Sequence, residues 1–315
     1  MYNQSIPWRM PQHERQFTVS IYETITDRII STLESGKIPW RKEWRTSGKT
    51  SGMPYNLASG KPYRGANVFS LLCSGYTSQG WCTYKQALEL GYQVRKGEKS
   101  SPVMFWKFPD KKAVIEAKLQ GKNAAPLARG YAVFNIEQLD GVPADLPFEG
   151  EVFDPIAECD AVVSKFMASD SHPTLAHGGD SAHFIPSRDH VQMPNRETFA
   201  SAGGYYATLF HEFAHSTGIK SRCNRAELIA MTGFGSEDYS KEELTAEFAA
   251  AFLCAETGCS NEERISNSVA YIQTWISKLK NDKTLAIQAA QRAQKAADFI
   301  LGRTFAAASE EEVAA

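Results

Sequence analysis

The chain has no Cys-x-x-Cys pair, although it holds six cysteines. That gap removes the zinc ribbon and the dithiol redox motif. Cys73, Cys82, Cys159, Cys223, Cys254 and Cys259 therefore read as reduced, core-filling thiols. Long apolar runs are missing too: none approaches a membrane span, and Met1 to Ser20 is polar with no signal-peptide core. A cytoplasmic protein is the expectation. Strong net charge is absent as well, at −2 over 315 residues, but the balance conceals a split. Residues 1–112 carry 17 Lys and Arg against 8 Asp and Glu, whereas the remainder carries 17 against 28. Such asymmetry points to a polyanion-binding module joined to something else, and the length allows two domains.

Residues 207–218 contain His211-Glu-x-x-His215. On a helix, positions i and i+4 share a face, so both imidazoles can meet one metal ion. Glu212 lies about 100° around the helix from His211, displaced from the metal axis and placed as a general base. Zn2+ suits imidazole and carboxylate donors, and another divalent cation is an alternative. Three fixed residues recur by chance in roughly one chain in a hundred of this length, so the surroundings must decide.

A third histidine would complete a longer zinc pattern, and the chain follows that pattern through Gly218, but Ser221 stands at the required place. A later helix offers the remaining ligand. Ser240 with Glu243 resembles a helix-start box, and Glu243 and Glu247 share a face beside an apolar stripe of Leu244, Phe248, Ala251, Phe252 and Ala255. Glu243 is assigned as third ligand and Glu247 as the carboxylate that orients a ligating histidine; the reverse stays open, as does a plain solvated face. Residues 181–194 read as two short strands around a Ser-Arg-Asp turn, with an edge to which an extended peptide could add. His183 and His190 either touch that cleft or lie on the surface, and His172 and His177 fall in a loop without a role. Tyr239 and Tyr271 are candidates for steadying an oxyanion.

The basic half reads differently. An amphipathic helix is expected over about residues 19–33, ended by Gly36. Trp40, Arg41, Lys42, Trp44 and Arg45 then interleave rings and cations, followed by Tyr63 and Arg64. Residues 81–99 suggest a helix, a glycine turn and a basic hairpin, carrying Trp81, Lys85, Arg95, Lys96 and Lys99. Strands are expected over 102–108 and 131–136, with an exposed tip or loop over 110–130. Single-stranded nucleic acid needs such a mixture, because unpaired bases stack on rings at roughly 1–3 kcal/mol each while cations meet phosphates. The plainer reading makes the tryptophans core residues and the cations a solvated face. No recognition helix or zinc finger for duplex DNA is visible.

With these segments in hand, the chain resembles the ArdC-type antirestriction proteins of conjugative plasmids. In the first half the likeness rests on Gly36-Lys-Ile-Pro-Trp40, Tyr63-Arg-Gly-Ala-Asn67, Trp81-Cys-Thr-Tyr-Lys-Gln-Ala87, Gly91-Tyr-Gln-Val-Arg-Lys-Gly-Glu98 and Val133-Phe-Asn-Ile-Glu-Gln138. In the second it rests on residues 178–186, 205–218, Glu242-Glu-Leu-Thr-Ala-Glu247 and Ala270-Tyr-Ile-Gln-Thr-Trp275. The resemblance implies an α+β protein of two domains: a mixed, single-stranded-DNA-binding domain over 16–145 and a zincin-like metallopeptidase domain over 150–303. Residues 304–315 read as a disordered acidic tail. It further implies metal at His211 and His215, the general base at Glu212, and the last ligand from the Glu243/Glu247 helix. Ser216 departs from the family, where tryptophan is frequent, which touches packing behind the helix. The expected function is protection of incoming plasmid DNA by a DNA-bound zinc peptidase of unidentified protein substrate. Its rival is a protein that protects by occupancy, with an idle metal site.

Overall fold

The computed structural model describes residues 20–39, 53–107, 109, 111–121, 127–143, 154–229, 237–259 and 268–303. Trp40, Arg41, Lys42, Trp44 and Arg45, residues 144–153 where the two expected domains meet, and the 304–315 tail lie outside them.

Helix α1 (Ile21–Glu34) begins at a reciprocal cap. The Ser20 hydroxyl accepts from Tyr22 N–H, and Glu23 Oε2 accepts from Ser20 N–H at 3.0 Å. Its buried face is Ile21, Ile25, Ile29, Ile30 and Leu33, and Gly36 leaves the helix at φ +79°. The elements that follow are β1 (Tyr55–Asn56), α2 (Ala66–Leu72), β2 (Gly80–Cys82), α3 (Tyr84–Glu89), β3 (Gln93–Val94), β4 (Ser101–Lys107), α4 (Lys111–Leu119), β5 (Leu127–Asn135) and β6 (Leu139–Asp140). Four of these strands form a sheet in the order β1-β2-β5-β4, and β3 and β6 form a separate pair. β5 runs antiparallel to β4 with Val103 opposite Tyr131, so the two expected strands do pair. At Gly130 a side chain would press on Ile21, so the missing Cβ lets α1 lie against the sheet.

One local expectation fails here. The basic hairpin does not form: β3 pairs with the distant β6, Val94 opposite Leu139, because Val94 and Leu139 bury together with Cys82 and Ala87. The segment over 110–130 does span the tip of the β4–β5 hairpin and exposes Ile115 and Leu119, but it contains helix α4, which was not expected.

The second half comprises α5 (Pro155–Met167), β7 (Thr174–His177), β8 (His183–Ile185), β9 (His190–Met193), α6 (Ala202–Ser216), α7 (Ala226–Ile229), α8 (Glu237–Thr257), α9 (Ser268–Asn281) and α10 (Leu285–Ile300). The expected strand pair is β8 and β9, and the sheet order β7-β9-β8 leaves β8 at an edge. The presumed loop around His177 is instead strand β7, parallel to β9. Asp189 ends the turn in the left-handed region at φ +46°. Its carboxylate receives both guanidinium nitrogens of Arg222 at 2.8 and 2.7 Å, and Arg222 also donates to Ser216 O at the end of α6.

α8 is longer than the Ser240 box implied, and Ser240 lies inside it. Nor is it striped: Ala246, Ala249, Leu253 and Cys254 are as buried as the expected face. Its acidic residues apart, α8 is lined with apolar side chains on every side, as a helix inside a core is. α10 shows it a surface of Ala286, Ala289, Ala290, Ala293, Ala296 and Ala297, small enough for close approach.

One apolar cluster runs through both halves rather than a core for each. Phe69 of α2 sits against Phe248 and Phe252 of α8, with ring centroids 4.0 and 5.0 Å apart. Around this contact Arg64 pairs with Asp298, Gly65 N–H donates to Gln294 Oε1 at 3.0 Å, and the Thr26 hydroxyl donates to Lys283 O at 2.7 Å.

Candidate metal centre

α6 starts at Ser201, whose hydroxyl accepts from Gly204 N–H at 3.0 Å, and then enters the core with Leu209, Phe210, Phe213 and Ala214 buried. Polar side chains so placed need partners. His211 and His215 lie one turn apart with their Nε2 atoms at 3.0 Å and their rings 84° apart. Glu243 of α8 closes the triangle, Oε2 at 3.6 Å from His211 Nε2 and Oε1 at 3.4 Å from His215 Nε2. Ligands on a tetrahedral cation with bonds of about 2.0–2.2 Å stand roughly 3.3–3.5 Å apart. These three side chains fit a divalent cation of that size. Among the described residues they are the one such cluster of His, Cys, Asp or Glu donor atoms. Glu212 lies between the two histidines on α6 and is itself buried.

Behind the triangle is an arrangement that the sequence does not announce. Glu242 is buried, its Oε1 3.1 Å from His215 Nδ1. Because His215 Nε2 faces the triangle, Nδ1 is the ring nitrogen that meets that oxygen. Arg225 grips Glu242 from the other side, Nε donating to Oε2 at 2.8 Å and Nη2 to Oε1 at 2.6 Å. The same guanidinium donates to Thr217 Oγ1 at 2.6 Å and Ala214 O at 2.7 Å. A Cβ on Gly218 would come within 2.8 Å of Arg225 Nη2 and 2.7 Å of Leu228 Cδ2, so Gly218 makes room for this fork. Glu247, assigned to orient a histidine, stands behind His211 with Oε1 3.7 Å from Nδ1, a charge contact too long for a hydrogen bond.

The charges are held firmly. Burial opposes ionisation of Glu242, but Arg225 and then His215 outweigh it and bring the carboxyl down to about 2. Burial also opposes a charge on His215, yet hydrogen bonds to Glu242 and Glu243 outweigh it and lift the imidazole to about 10. For Glu243 the two histidines overcome burial and keep the carboxyl well below its ordinary range. Ionised carboxylates facing an imidazole that attracts positive charge are the electrostatics that a divalent cation answers.

Tyr239 is half-buried on α8, one turn before Glu243, while the Tyr271 side chain lies outside the described set. His183 and His190 make local contacts, to Ser181 Oγ at 3.4 Å and Thr174 Oγ1 at 2.8 Å. His172 meets Pro173 O at 2.8 Å and His177 the Tyr205 hydroxyl at 2.9 Å. None of the four joins the triangle.

The expected nucleic-acid residues divide. Trp81 is 1% exposed and packs edge-on to Tyr76, and Tyr63 is 4% exposed, so neither ring offers a face to a base. Both serve the core, as members of the main apolar cluster. Arg64 is spent on Asp298. Lys85, Arg95, Lys96 and Lys99 are exposed, Lys85 beside Glu89 at 3.5 Å and Arg95 beside Glu98 at 3.0 Å. Tyr84, absent from the expected set, is 44% exposed on α3 next to Lys85.

Comparison with known proteins agrees with both halves. Residues 19–134 match the N-terminal domain of anti-restriction factor ArdC, and residues 161–292 match a zincin-like metallopeptidase. The fold is thus α+β with those two regions in order. The crystal structure of the antirestriction ArdC protein from plasmid R388, Mn(II)-bound, is 36% identical, covers 90% of this chain and 98% of its own, and superposes with a TM-score of 0.69. Its metal-free form is 37% identical with the same TM-score of 0.69, covering 90% and 97%. The uncharacterized protein y4eC of Sinorhizobium fredii (strain NBRC 101917 / NGR234) is 38% identical over 295 residues, 90% of this chain and 92% of that protein. DNA primase TraC of Escherichia coli is 34% identical over 293 residues, 89% of this chain but 20% of TraC. Among the described residues no helix is long and apolar enough to cross a membrane.

Proposed function

The chain belongs to the ArdC antirestriction family, and we propose that it protects incoming plasmid DNA as a single-strand-binding protein that carries a metal-dependent peptidase. The observation that carries the peptidase reading is the triangle of His211, His215 and Glu243 beside Glu212. In this reading the triangle holds the cation, zinc by its mixed nitrogen and oxygen donors, with manganese as the competitor suggested by the R388 relative. When bound, the cation supplies Lewis-acid polarisation of a peptide carbonyl and activation of water. Glu212 takes a proton from the attacking water on its carboxylate and passes it to the departing amine. Glu242 holds the His215 ring from behind, Glu247 places its charge behind His211, and edge strand β8 receives an extended substrate by main-chain hydrogen bonds. Lys85, Arg95, Lys96 and Lys99 supply phosphate contacts, with the exposed Tyr84 as a stacking ring.

Substituting Glu212→Gln tests this. Metal content should match the wild type, peptide cleavage should fall by two or more orders of magnitude, and single-strand affinity should not change. Antirestriction retained by that variant would assign protection to DNA occupancy alone. A variant that still cleaves at the wild-type rate would remove Glu212 from the mechanism.

A further inference from the structure

We propose that Arg225 is a positioning residue of the metal centre, its fork fixing the Glu242 carboxylate so that Glu242 pins His215 Nδ1–H and aims Nε2 at the cation. The inference rests on reading His211, His215 and Glu243 as a metal site. Its warrant is a closed loop of short contacts. From α6 the loop leaves through His215 to Glu242 on α8 at 3.1 Å, passes to Arg225 at 2.6 and 2.8 Å, and returns to α6 at Ala214 O at 2.7 Å.

Because both Glu242 oxygens are engaged by one planar group, the carboxylate cannot rotate away from the imidazole. The loop also sets the separation of α6 and α8, and with it the distance from His215 to Glu243, the residue after Glu242. Every member is buried, Arg225 at 4% and Glu242 at 1% exposure, so water does not screen them. A lysine would bring the charge without the fork.

The test compares wild type, Arg225→Lys, and the double variant Arg225→Met with Glu242→Gln, which removes both charges together. Zn2+ affinity is measured by chelator competition, and the His215 Nδ1–H resonance by NMR on zinc-loaded, histidine-labelled protein. Arg225→Lys should weaken Zn2+ binding by about 10–100-fold and shift or broaden that resonance. The double variant should keep the metal-free melting temperature of the wild type yet bind Zn2+ at least about tenfold more weakly. Either folded variant binding Zn2+ within twofold of wild type, with the resonance unmoved, overturns the proposal. Failure of both variants to fold also overturns it, assigning Arg225 to stability alone. A wild type that binds no Zn2+ instead removes the metal site itself, which separates the two failures.

Discussion

Replacing Phe69 by alanine probes the contact on which the whole arrangement of the halves depends. Phe69 is fully buried and lies 4.0 and 5.0 Å, centroid to centroid, from Phe248 and Phe252 of the helix that carries Glu243. Deleting a buried ring costs about 3–5 kcal/mol, since the transfer free energy of its apolar atoms is forfeited and a cavity stays behind. At about 2 °C per kcal/mol, the low end for chains of 150–250 residues and apt for a longer one, the melting temperature should fall by roughly 6–10 °C. Scanning calorimetry is the assay. Because one cluster spans both halves, the wild type should unfold in a single transition, and Phe69→Ala should move it whole. Two resolved transitions, with the substitution shifting one and not the other, would refute the shared core; so would a shift below about 2 °C.

Alanine at Lys96 and Lys99 should weaken single-strand binding and flatten its log–log salt dependence by about 0.7 for each phosphate no longer neutralised, with an unchanged melting temperature. Trp81→Ala should instead lower stability by about 3–5 kcal/mol, read by denaturant unfolding, because its ring is core. Gly218→Ala should cost about 1–3 kcal/mol by overpacking, measured in urea, since the new methyl meets Arg225 and Leu228. Chelated and zinc-loaded protein should show different pH trends. His215 is lifted from 6.5 to about 10 without a cation, so its contribution is complete below the unfolded value and is lost as pH rises from about 6.5 through about 10. In the zinc complex the ligand has already given up that proton, so the rise in zinc affinity offsets the loss and this group leaves the melting temperature level above about pH 6.5. Melting curves between pH 6 and 9 check this, and parallel trends would refute it.

What could be read beforehand follows the range of the forces involved. The helix bearing His211 and His215, α1, and the β4–β5 and β8–β9 pairs all rest on periodicities within a few residues, and each is found. Helix geometry puts Glu243 and Glu247 on one face but leaves open which of them closes the triangle; here Glu243 lies nearest both histidines. The pairing of β3 with β6 joins positions some 45 residues apart, Val94 with Leu139, and nothing local announces it. Ser240 matched a cap, but the helix begins earlier and buries it. Trp81 and Tyr63 mislead because an aromatic residue among cations looks alike whether it stacks on a base or plugs a core. Glu242 escaped notice since it lies about 100° around α8 from Glu243. Arg225 escaped because a buried arginine in an irregular segment has no periodic signature.

The pairing of α1 and α2 with the final helix has a bearing on biosynthesis. Arg64, Gly65 and Thr26 take partners at Asp298, Gln294 and Lys283, residues made 234, 229 and 257 positions later. At about 5–20 residues per second, roughly ten to thirty seconds separate completion of the amino-terminal sheet from arrival of those partners. Nascent chains therefore wait with Phe69 uncovered until α8 has been made, and with Arg64, Gly65 and Thr26 still unpaired with their later partners after that. A product truncated before α8 leaves the Phe69 surface open to chaperones and proteases.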